Sequence, residues 1–424
     1  MRQPFPPFCC LLLAFAASTC SAQSSHGGTD SPRSTAADTA APRPGWRRLS
    51  PVVISAGEFS INETRRTVLK PMDIMTTAGA NADVIQVLQT LPGTQQAGAN
   101  TGLFVRGGDA AESLVIIDGL VVQNPFFSSL PGVSQSSRFS PFQFKGLSFS
   151  SGGYSVRYGQ ALSSILELNT RDLAESSKIS DGLNATGIFA SGALLRKNSS
   201  FEASGYYNNL SPFYHWANSN LRFYHPPSGP GLSLKYSLSP TTNQLLKIFV
   251  RGAGYRTGLV TPDPFRPGDS TRFGLDNRLW YAAATYKRSL PHKWDLSLAS
   301  AYSNNRDNIS WQDSTPIPLV NKDYRLQLRA ETRKYFSSGC ELVTGVDFQR
   351  YGYARSFDTV NGSFAETLSA GFAELSWRPF SWLAFRPGLR YEYSALTRSS
   401  AISPRLSFAL RSGQYAQFAL AAGL

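Results

Sequence analysis

The sequence predicts a compact α+β domain followed by a predominantly antiparallel transmembrane β-barrel. Two observations support this fold class: an unusual composition and a long region in which apolar residues recur with period two. Only 16% of the 424 residues are charged and 12% are aromatic, whereas about 25% of an average soluble chain is charged. The chain contains 35 glycines and 26 prolines. No stretch approaches the roughly 18 consecutive apolar residues of a membrane-spanning helix. The composition therefore favours an exported, turn-rich β protein.

The N-terminus predicts export. Residues 1–23 combine an early positive charge at Arg2, an apolar stretch over residues 8–17 and a run of small residues, which is the pattern of a cleaved signal peptide. Lipid attachment at Cys20 is a lesser alternative, because the residues before it match the lipoprotein pattern poorly. Removal of the signal leaves Cys340 as a single cysteine, so we expect no intrachain disulfide.

Three segments follow the signal peptide. Residues 24–50 are rich in Ser, Thr, Ala and Pro and are predicted to be a disordered linker. Residues 51–61 contain the short β-prone run Val52, Val53, Ile54, Ser55 and Ala56. Residues 62–172 have the pattern of a mixed α/β domain and carry eight basic and eight acidic residues, so they are electrically neutral.

The α+β domain contains one clear helix signal. Asn81 is a plausible N-cap, and Val84, Val87, Leu88 and Leu91 follow at helical spacing before Pro92-Gly93 ends the pattern. Short strands are predicted over residues 103–106, 114–117, 144–150 and 165–170. The glycine pairs at 107–108 and 152–153 are predicted to form tight turns rather than phosphate-binding loops, because neither fits a nucleotide-binding pattern.

Residues 173–424 follow a strand period. Tyr324, Leu326 and Leu328 alternate with Arg325, Gln327 and Arg329, which predicts a strand with one apolar and one polar face. About twelve such strands can be placed: 183–193, 200–208, 232–238, 243–251, 278–288, 293–303, 322–334, 340–352, 363–377, 381–393, 402–411 and 415–422. Short connections alternate with the longer connections 209–231, 252–277, 304–321, 353–362 and 394–401. This arrangement is typical of an outer-membrane β-barrel.

A secreted β-sandwich is the alternative, since its strands alternate too. A packed sandwich core would leave Arg325, Arg329, Glu331 and Arg333 without solvent or partners, whereas a hydrated lumen accepts such charges. Tryptophans near the strand ends also suit the aromatic belts of a membrane protein. The barrel is therefore the favoured fold.

Four motifs of the α+β domain occur in a characteristic order: the helix of residues 81–93, Phe104 to Gly108, Val115 to Gly119, and residues 149–164. In this combination the domain resembles the plug domain of TonB-dependent outer-membrane receptors. The resemblance covers most of residues 72–172. It marks as plug-motif residues Arg106, Gly107, Gly108, Asp118, Gly119, Arg157, Tyr158 and Gly159.

The resemblance implies a partner and a function. Val52 to Ala56 looks like the TonB box, the segment that pairs with the inner-membrane energy-coupling complex by adding a strand to it; the alternative is that it is the first strand of the plug. The implied function is energy-coupled uptake of a scarce solute: a siderophore-iron complex, cobalamin, haem, a glycan or a peptide. A signal-transducing receptor is disfavoured, because residues 24–50 are too short and polar for a signalling domain.

Other functions and partners leave weaker signals. An outer-membrane enzyme or adhesin without TonB coupling is the alternative function, but no nucleophile with a supporting histidine motif is present, so we expect no enzymatic activity. We expect no metal site, since the four histidines are scattered and lack the short spacing of zinc ligands. We also expect no cofactor and no nucleic-acid partner.

The positive charge lies in the barrel region. Residues 173–424 carry 28 basic and 17 acidic residues, a balance of +11. This excess suits anionic solutes and anionic lipopolysaccharide equally well. Within the long connection 209–231, two aromatic-histidine motifs offer candidate ligand contacts, at Tyr214, His215, Trp216, Tyr224 and His225; an ordinary aromatic belt is the alternative.

The length predicts an incomplete barrel. Each strand with its connection uses about 20 residues, so a plugged barrel of about 22 strands needs a much longer chain. We therefore expect a truncated product, with about half a barrel, that cannot seal a pore alone because its open edges would face lipid.

Overall fold

The computed structural model describes residues 66–424, apart from 81–82, 96–101, 129, 131–136, 185, 217–220, 264–267, 313–315, 338 and 414–415. The predicted signal peptide, linker and coupling segment lie outside the described residues, as does Asn81. Within the described part of the chain, no helix is both long and apolar enough to span a membrane.

The first part of the chain folds around a five-stranded mixed sheet. Its strands are β1 (Arg66–Leu69), β4 (Ser113–Ile117), β5 (Leu120–Val121), β6 (Phe144–Ser150) and β7 (Ser164–Thr170), in the order β1-β6-β7-β4-β5. The β4 and β7 strands pair in parallel, and the other neighbours are antiparallel. A separate two-stranded ladder joins β2 (Thr94–Gln95) to β3 (Phe104–Val105). The four predicted strands are confirmed, and β1 and β5 are additions at the two sheet edges.

Two helices pack on this sheet, α1 (Pro71–Thr76) and α2 (Val84–Leu88). The N-cap of α2 is Asp83, whose carboxylate accepts the Ile85 amide at 2.8 Å, so the prediction of Asn81 as the cap is wrong. The helix also ends at Leu88 before reaching Leu91. The Thr94 hydroxyl donates to the Leu88 and Leu91 carbonyl oxygens at 2.7 and 2.6 Å, which satisfies backbone groups at that end without another helical turn.

Thirteen consecutive antiparallel strands form the second sheet, called the wall below. They pair in chain order from β8 to β20, with β8 and β20 at the two ends of the sheet. Their bounds are β8 Lys178–Asn184, β9 Gly187–Leu195, β10 Ser199–Asn209, β11 Arg222–Leu238, β12 Gln244–Pro262, β13 Ser270–Leu290, β14 Trp294–Gln312, β15 Pro316–Ser337, β16 Cys340–Phe357, β17 Val360–Phe380, β18 Leu383–Ser394, β19 Ser399–Ser412 and β20 Ala416–Gly423. A short helix, α3 (Ser211–Trp216), lies between β10 and β11.

The wall has one more strand than predicted, because Lys178–Asn184 pairs with β9. Its strands are also longer at one end. The predicted long connection 353–362 is wrong, since β16 and β17 remain paired up to Phe357 and Val360. The predicted loops 252–277 and 304–321 are likewise mostly strand. In these extensions apolar side chains such as Leu259, Phe273 and Leu275 pack together on the inner face, out of phase with the outward-facing apolar residues by which the rest of each strand is predicted. The short connections lie at the opposite end of the wall, called the short-turn end below.

The two faces of the wall have different surroundings. The part of the chain before β8, with the five-stranded sheet and its two helices, is called the plug below. On β13 the side chains of Asn277 and Tyr281 are buried toward the plug, whereas Trp280 between them is 60% exposed on the outer face. Phe249 and Tyr281 of the wall join the apolar core of the plug. The plug therefore lies against the inner face.

Candidate functional site: the contacts between plug and wall

The first plug motifs form tight turns. Both Arg106 and Gly107 have positive φ, at 52° and 80°, and so do Asp118 and Gly119, at 50° and 90°. Two consecutive residues of this kind define a type I′ turn, which favours glycine. The tight turn predicted at Gly107-Gly108 is therefore confirmed. The second turn joins β4 to β5 and carries the Asp118 side chain to the wall.

Asp118 makes a buried ion pair with the wall. Nζ of Lys247, on β12, lies 2.8 Å from Oδ1 of Asp118, and the two side chains are 4% and 6% exposed. The Thr170 amide also donates to Asp118 Oδ1 at 3.1 Å, and the Thr170 hydroxyl donates to the other oxygen. Burial alone would raise the pKa of Asp118, but the charges of Lys247 and Lys287 and these hydrogen bonds keep the pKa below its ordinary value. Asp118 therefore stays ionised and anchors the plug.

Arg157 makes a second ionic contact. Its Nε donates to Oε2 of Glu331 on β15 at 2.8 Å, and the Glu331 side chain is only 8% exposed. Arg329 donates to the same carboxylate oxygen at 3.2 Å and to the Arg157 carbonyl oxygen at 2.9 Å. Burial would lower the pKa of Arg157, but Glu331 holds it above its ordinary value. One plug arginine is thus tied to two neighbouring wall charges.

The network continues across the next strands of the wall. Arg329 lies 3.7 Å from Asp347, and Arg390 lies 3.9 Å from the same carboxylate and 2.8 Å from Glu392. Because acidic and basic groups alternate along this path, each buried charge has a partner of opposite sign.

Side chains of the wall also form hydrogen bonds with the plug backbone between residues 153 and 158. Glu374 accepts the Val156 amide at 3.0 Å, and Arg386 donates to the Gly153 carbonyl oxygen. Arg405 donates to the carbonyl oxygens of Ser155 and Tyr158 at 2.8 and 2.7 Å. These charge-assisted bonds fix the segment without depending on its side chains.

Two glycines allow the close approach. A Cβ at Gly159 would lie 2.5 Å from Oε2 of Glu392 and 2.6 Å from Nε of Arg390. On the wall, a Cβ at Gly388 would lie 2.7 Å from Cγ1 of Val156. The absence of a side chain at Gly159 thus allows the Arg390–Glu392 ion pair to approach the plug backbone. The absence of a side chain at Gly388 leaves a notch in the wall that Val156 of the plug fills.

Tyr158 and Arg106 have different surroundings. Tyr158 is 6% exposed, and the Arg329 guanidinium lies 5.2 Å from its ring centre; burial raises the pKa of its hydroxyl. The Arg106 side chain is exposed and joins neither ionic contact. Gly108 packs against the Ser163 and Glu112 side chains, which are hydrogen-bonded to each other.

At the opposite end of the plug, Arg138 enters a polar cluster in the wall. It donates to the Phe126 carbonyl oxygen at 2.6 Å and to Asn277 Oδ1 at 2.8 Å. Burial lowers its pKa to about 10, against the opposing effect of Asp307. The plug also donates to the wall here, from Asn124 to Asp323 at 2.5 Å. We call this region the apex, and the Asp118 and Arg157 contacts the base.

The structure separates the two aromatic-histidine motifs. Tyr214 lies on α3, where its ring packs 4.5 Å from that of Phe223, and His215 and Trp216 are exposed. Tyr224 and His225 lie on β11, and the Tyr224 ring covers Gly274 on the outer face beside Arg272. The prediction of one long loop carrying both motifs is therefore wrong. The ligand-contact role of these residues stays a prediction.

Sequence reasoning identified Arg329, Glu331 and Arg333 as inward charges but missed Lys247 and Asp347 as partners. The available signal was the polar face of the strands at 243–251 and 340–352. Among the described residues, no cluster of three or more acidic, histidine or cysteine side chains could hold a metal ion.

A mixed sheet held against the inner face of a long antiparallel wall is the arrangement of a plugged β-barrel. The sequence model of the TonB-dependent receptor plug domain matches residues 62–164. Residues 62–164 thus belong to the plug-domain family of TonB-dependent receptors, which confirms the resemblance seen in the sequence, and an antiparallel wall of barrel-like strands follows them.

Solved structures show the same fold. A variant of the ferric enterobactin receptor PfeA from Pseudomonas aeruginosa matches with a TM-score of 0.63 at 14% identity, covering 85% of this chain and 62% of that chain. The siderophore receptor PirA from Acinetobacter baumannii matches at 0.62 and 13% identity, covering 85% and 60%. The haemophore receptor HasR of Serratia marcescens, solved with HasA and haem, matches at 0.61 and 15%, covering 82% and 61%. The chain thus spans about three fifths of the length of these receptors.

Proposed function

We propose that this protein is an outer-membrane receptor that takes up a scarce solute by TonB-dependent energy coupling. The observation that carries the proposal is the base, where ion pairs from Asp118 and Arg157 hold the plug against the wall. Such contacts can be exchanged for water in a hydrated lumen, whereas an apolar seal could not be broken so selectively. The plug can therefore be both firmly seated and movable.

The connectivity offers a route for an applied force. The proposed TonB box, Val52 to Ala56, precedes β1 by about ten residues in the sequence. The four-residue β1 pairs with β6, and β6 pairs with β7. Thr170, at the end of β7, donates to Asp118. A pull on the N-terminal segment would thus reach the Asp118–Lys247 ion pair through two strand pairings.

For the substrate we propose an iron chelate, either a ferric siderophore or haem. The similar solved structures are those of a ferric enterobactin receptor, a siderophore receptor and a haemophore receptor in complex with its haemophore and haem. In this chain the inner wall near the apex combines cations with aromatic rings: Arg325 lies 4.8 Å from the Tyr351 ring centre and donates to Gln123 of the plug at 2.6 Å. Together with the positive balance of the wall, this surface suits an anionic, flat or ring-bearing solute.

The test is deletion of Val52–Ala56 in cells that depend on this receptor for radiolabelled ferric siderophore or haem. We expect uptake to fall to background while ligand binding at the cell surface stays unchanged, because the deletion leaves the plug and wall intact. The matched control deletes five residues of the linker, 36–40. Unimpaired uptake without Val52–Ala56, or equal loss in both deletions, would contradict the coupling role.

A further inference from the structure

Three cations lie in one row on the outer face of the wall. Arg278 on β13 is directly opposite Arg306 on β14, and Arg306 is directly opposite Lys322 on β15. All three side chains are exposed, and that of Arg278 is 75% exposed. Directly opposed residues on one face of an antiparallel sheet have Cβ atoms about 5 Å apart. The row therefore concentrates three positive charges on a small surface.

One carboxylate and one amide beside the row compensate its charge only in part. Asp276 lies 3.5 Å from Nε of Arg278, and Asn308 accepts from Nε of Arg306 at 3.0 Å. The exposed Arg256 is paired across the strands with Asp276, which adds a fourth cation beside the row. Like charges in direct opposition destabilise a sheet. A multivalent anion bound across the row would remove this repulsion.

The row stands at the level of a membrane surface. One step along the strands toward the short-turn end, the outer face carries Trp280, Asn304 and Tyr324 in register. The next step carries Ala282, Tyr302 and Leu326. Aromatic residues mark the interface of a barrel with the membrane, and the longer hairpins mark its extracellular side. The cations thus lie just outside the apolar band, on the extracellular side.

An apolar groove lies below the row on the same strands. Its volume is about 650 Å³, and residues of β12 to β18 line it, among them the outward-facing Ala284, Leu328 and Phe348. Small side chains form its floor, at Ala284, Ser300, Ala330 and Gly371. Leu298, Leu328 and Phe348 project beside them and are 43%, 47% and 38% exposed. Ala284 and Ser300 are each six residues from the cation of their own strand, about 20 Å along it.

We propose that the row and the groove together bind one molecule of lipopolysaccharide, with its lipid A phosphates on Arg278, Arg306 and Lys322 and an acyl chain in the groove. The row supplies clustered cations for phosphate groups borne on one head group. The groove supplies apolar surface at the depth that the acyl chain of such a lipid occupies. The inference rests on the proposed outer-membrane location but not on TonB coupling.

The test measures binding of bisphosphorylated, hexa-acylated lipid A to the purified full chain in detergent. We expect the variant R278Q/R306Q/K322Q to bind roughly 100-fold more weakly, from about a fivefold contribution, or about 1 kcal/mol, by each of the three basic residues near an anionic lipid surface. The variant A330L, which fills the groove floor, should weaken binding of lipid A but leave binding of inorganic phosphate unchanged.

The matched control removes three exposed cations from the short-turn end, in R288Q/K293Q/K197Q, with the same change in net charge. This control should bind lipid A as the parent protein does. Equal weakening in both triple variants would show a general charge effect and overturn the site. Binding of phosphatidylglycerol or inorganic phosphate as tight as that of lipid A would overturn the assignment to lipopolysaccharide. Loss of uptake has no bearing on any of these outcomes.

Discussion

The base and the apex hold the plug to the same wall by different chemistry. At the base, Glu331 receives Arg157 and Arg329, and Asp118 receives Lys247, so buried opposite charges face each other directly. At the apex, one buried cation, Arg138, faces a cluster dominated by amides, and its Nη2 has no hydrogen-bond partner among the described atoms. Removal of one partner should therefore cost more at the base than at the apex.

The largest loss of free energy of plug seating is expected from a substitution at the base. Glu331→Gln leaves Arg157 and Arg329 without their shared carboxylate, and breaking a buried ion pair from one side costs about 3–5 kcal/mol. Hydrogen exchange of the amides at 153–158 should accelerate accordingly. The control is Glu341→Gln, because Glu341 lies 3.8 Å from Arg333 and both are about 30% exposed; its effect should be below about 1 kcal/mol. Equal protection in wild type and Glu331→Gln would contradict the role of the base.

The Asp118 anchor should depend on pH. Its pKa is lowered below 3.8 in the folded protein, so its stabilisation is fully present above pH 3.8 and is lost as the pH falls through the lower folded value. At neutral pH, Asp118→Asn should lower the free energy of local opening of the plug, as measured by hydrogen exchange, by about 3 kcal/mol. The variant should also lack this acid-dependent loss of stability. Hydrogen exchange of β5 and β7 amides between pH 3 and pH 7 measures both effects.

The partly exposed Asp172 provides the comparison for this variant. It lies 3.9 Å from Lys247 with 36% side-chain exposure, so Asp172→Asn should leave the acid dependence in place. The assignment to Asp118 fails if Asp118→Asn retains the wild-type acid profile.

A smaller loss of free energy of plug seating is expected from a substitution at the apex. Arg138→Gln removes the hydrogen bonds to the Phe126 carbonyl oxygen and to Asn277, at an expected cost of about 1–3 kcal/mol. Exchange should accelerate at residues 122–128 and stay unchanged at 153–158. Arg106→Gln is the control, since that plug-motif side chain is exposed and should alter neither region. A loss of protection at the base as large as that at the apex would show that the two ends are not independent.

Part of this site could be predicted from sequence because local patterns encode it. The period of two separates Arg329 and Glu331 from the outer face, and the two glycine turns follow from adjacent residues that favour positive φ. The pairing of Arg157 with Glu331 joins residues 174 positions apart, so no local pattern reveals it. The strand extensions escaped prediction for a different reason: their apolar residues, such as Leu259 and Leu275, lie on the inner face, out of phase with the outward-facing apolar residues that mark the rest of each strand.

The notch at Gly388 has a consequence for how plug and barrel can be recombined. Because Val156 fills the space that a Cβ at Gly388 would take, the seating depends on a missing side chain in the wall and a branched one in the plug. A chimera that brings a plug from a related receptor to this wall should seat best where the donor keeps a compact branched residue at this position. Conversely, this plug should seat poorly in a wall whose matching position carries any side chain larger than hydrogen. The two domains are thus fitted to each other in shape as well as in charge.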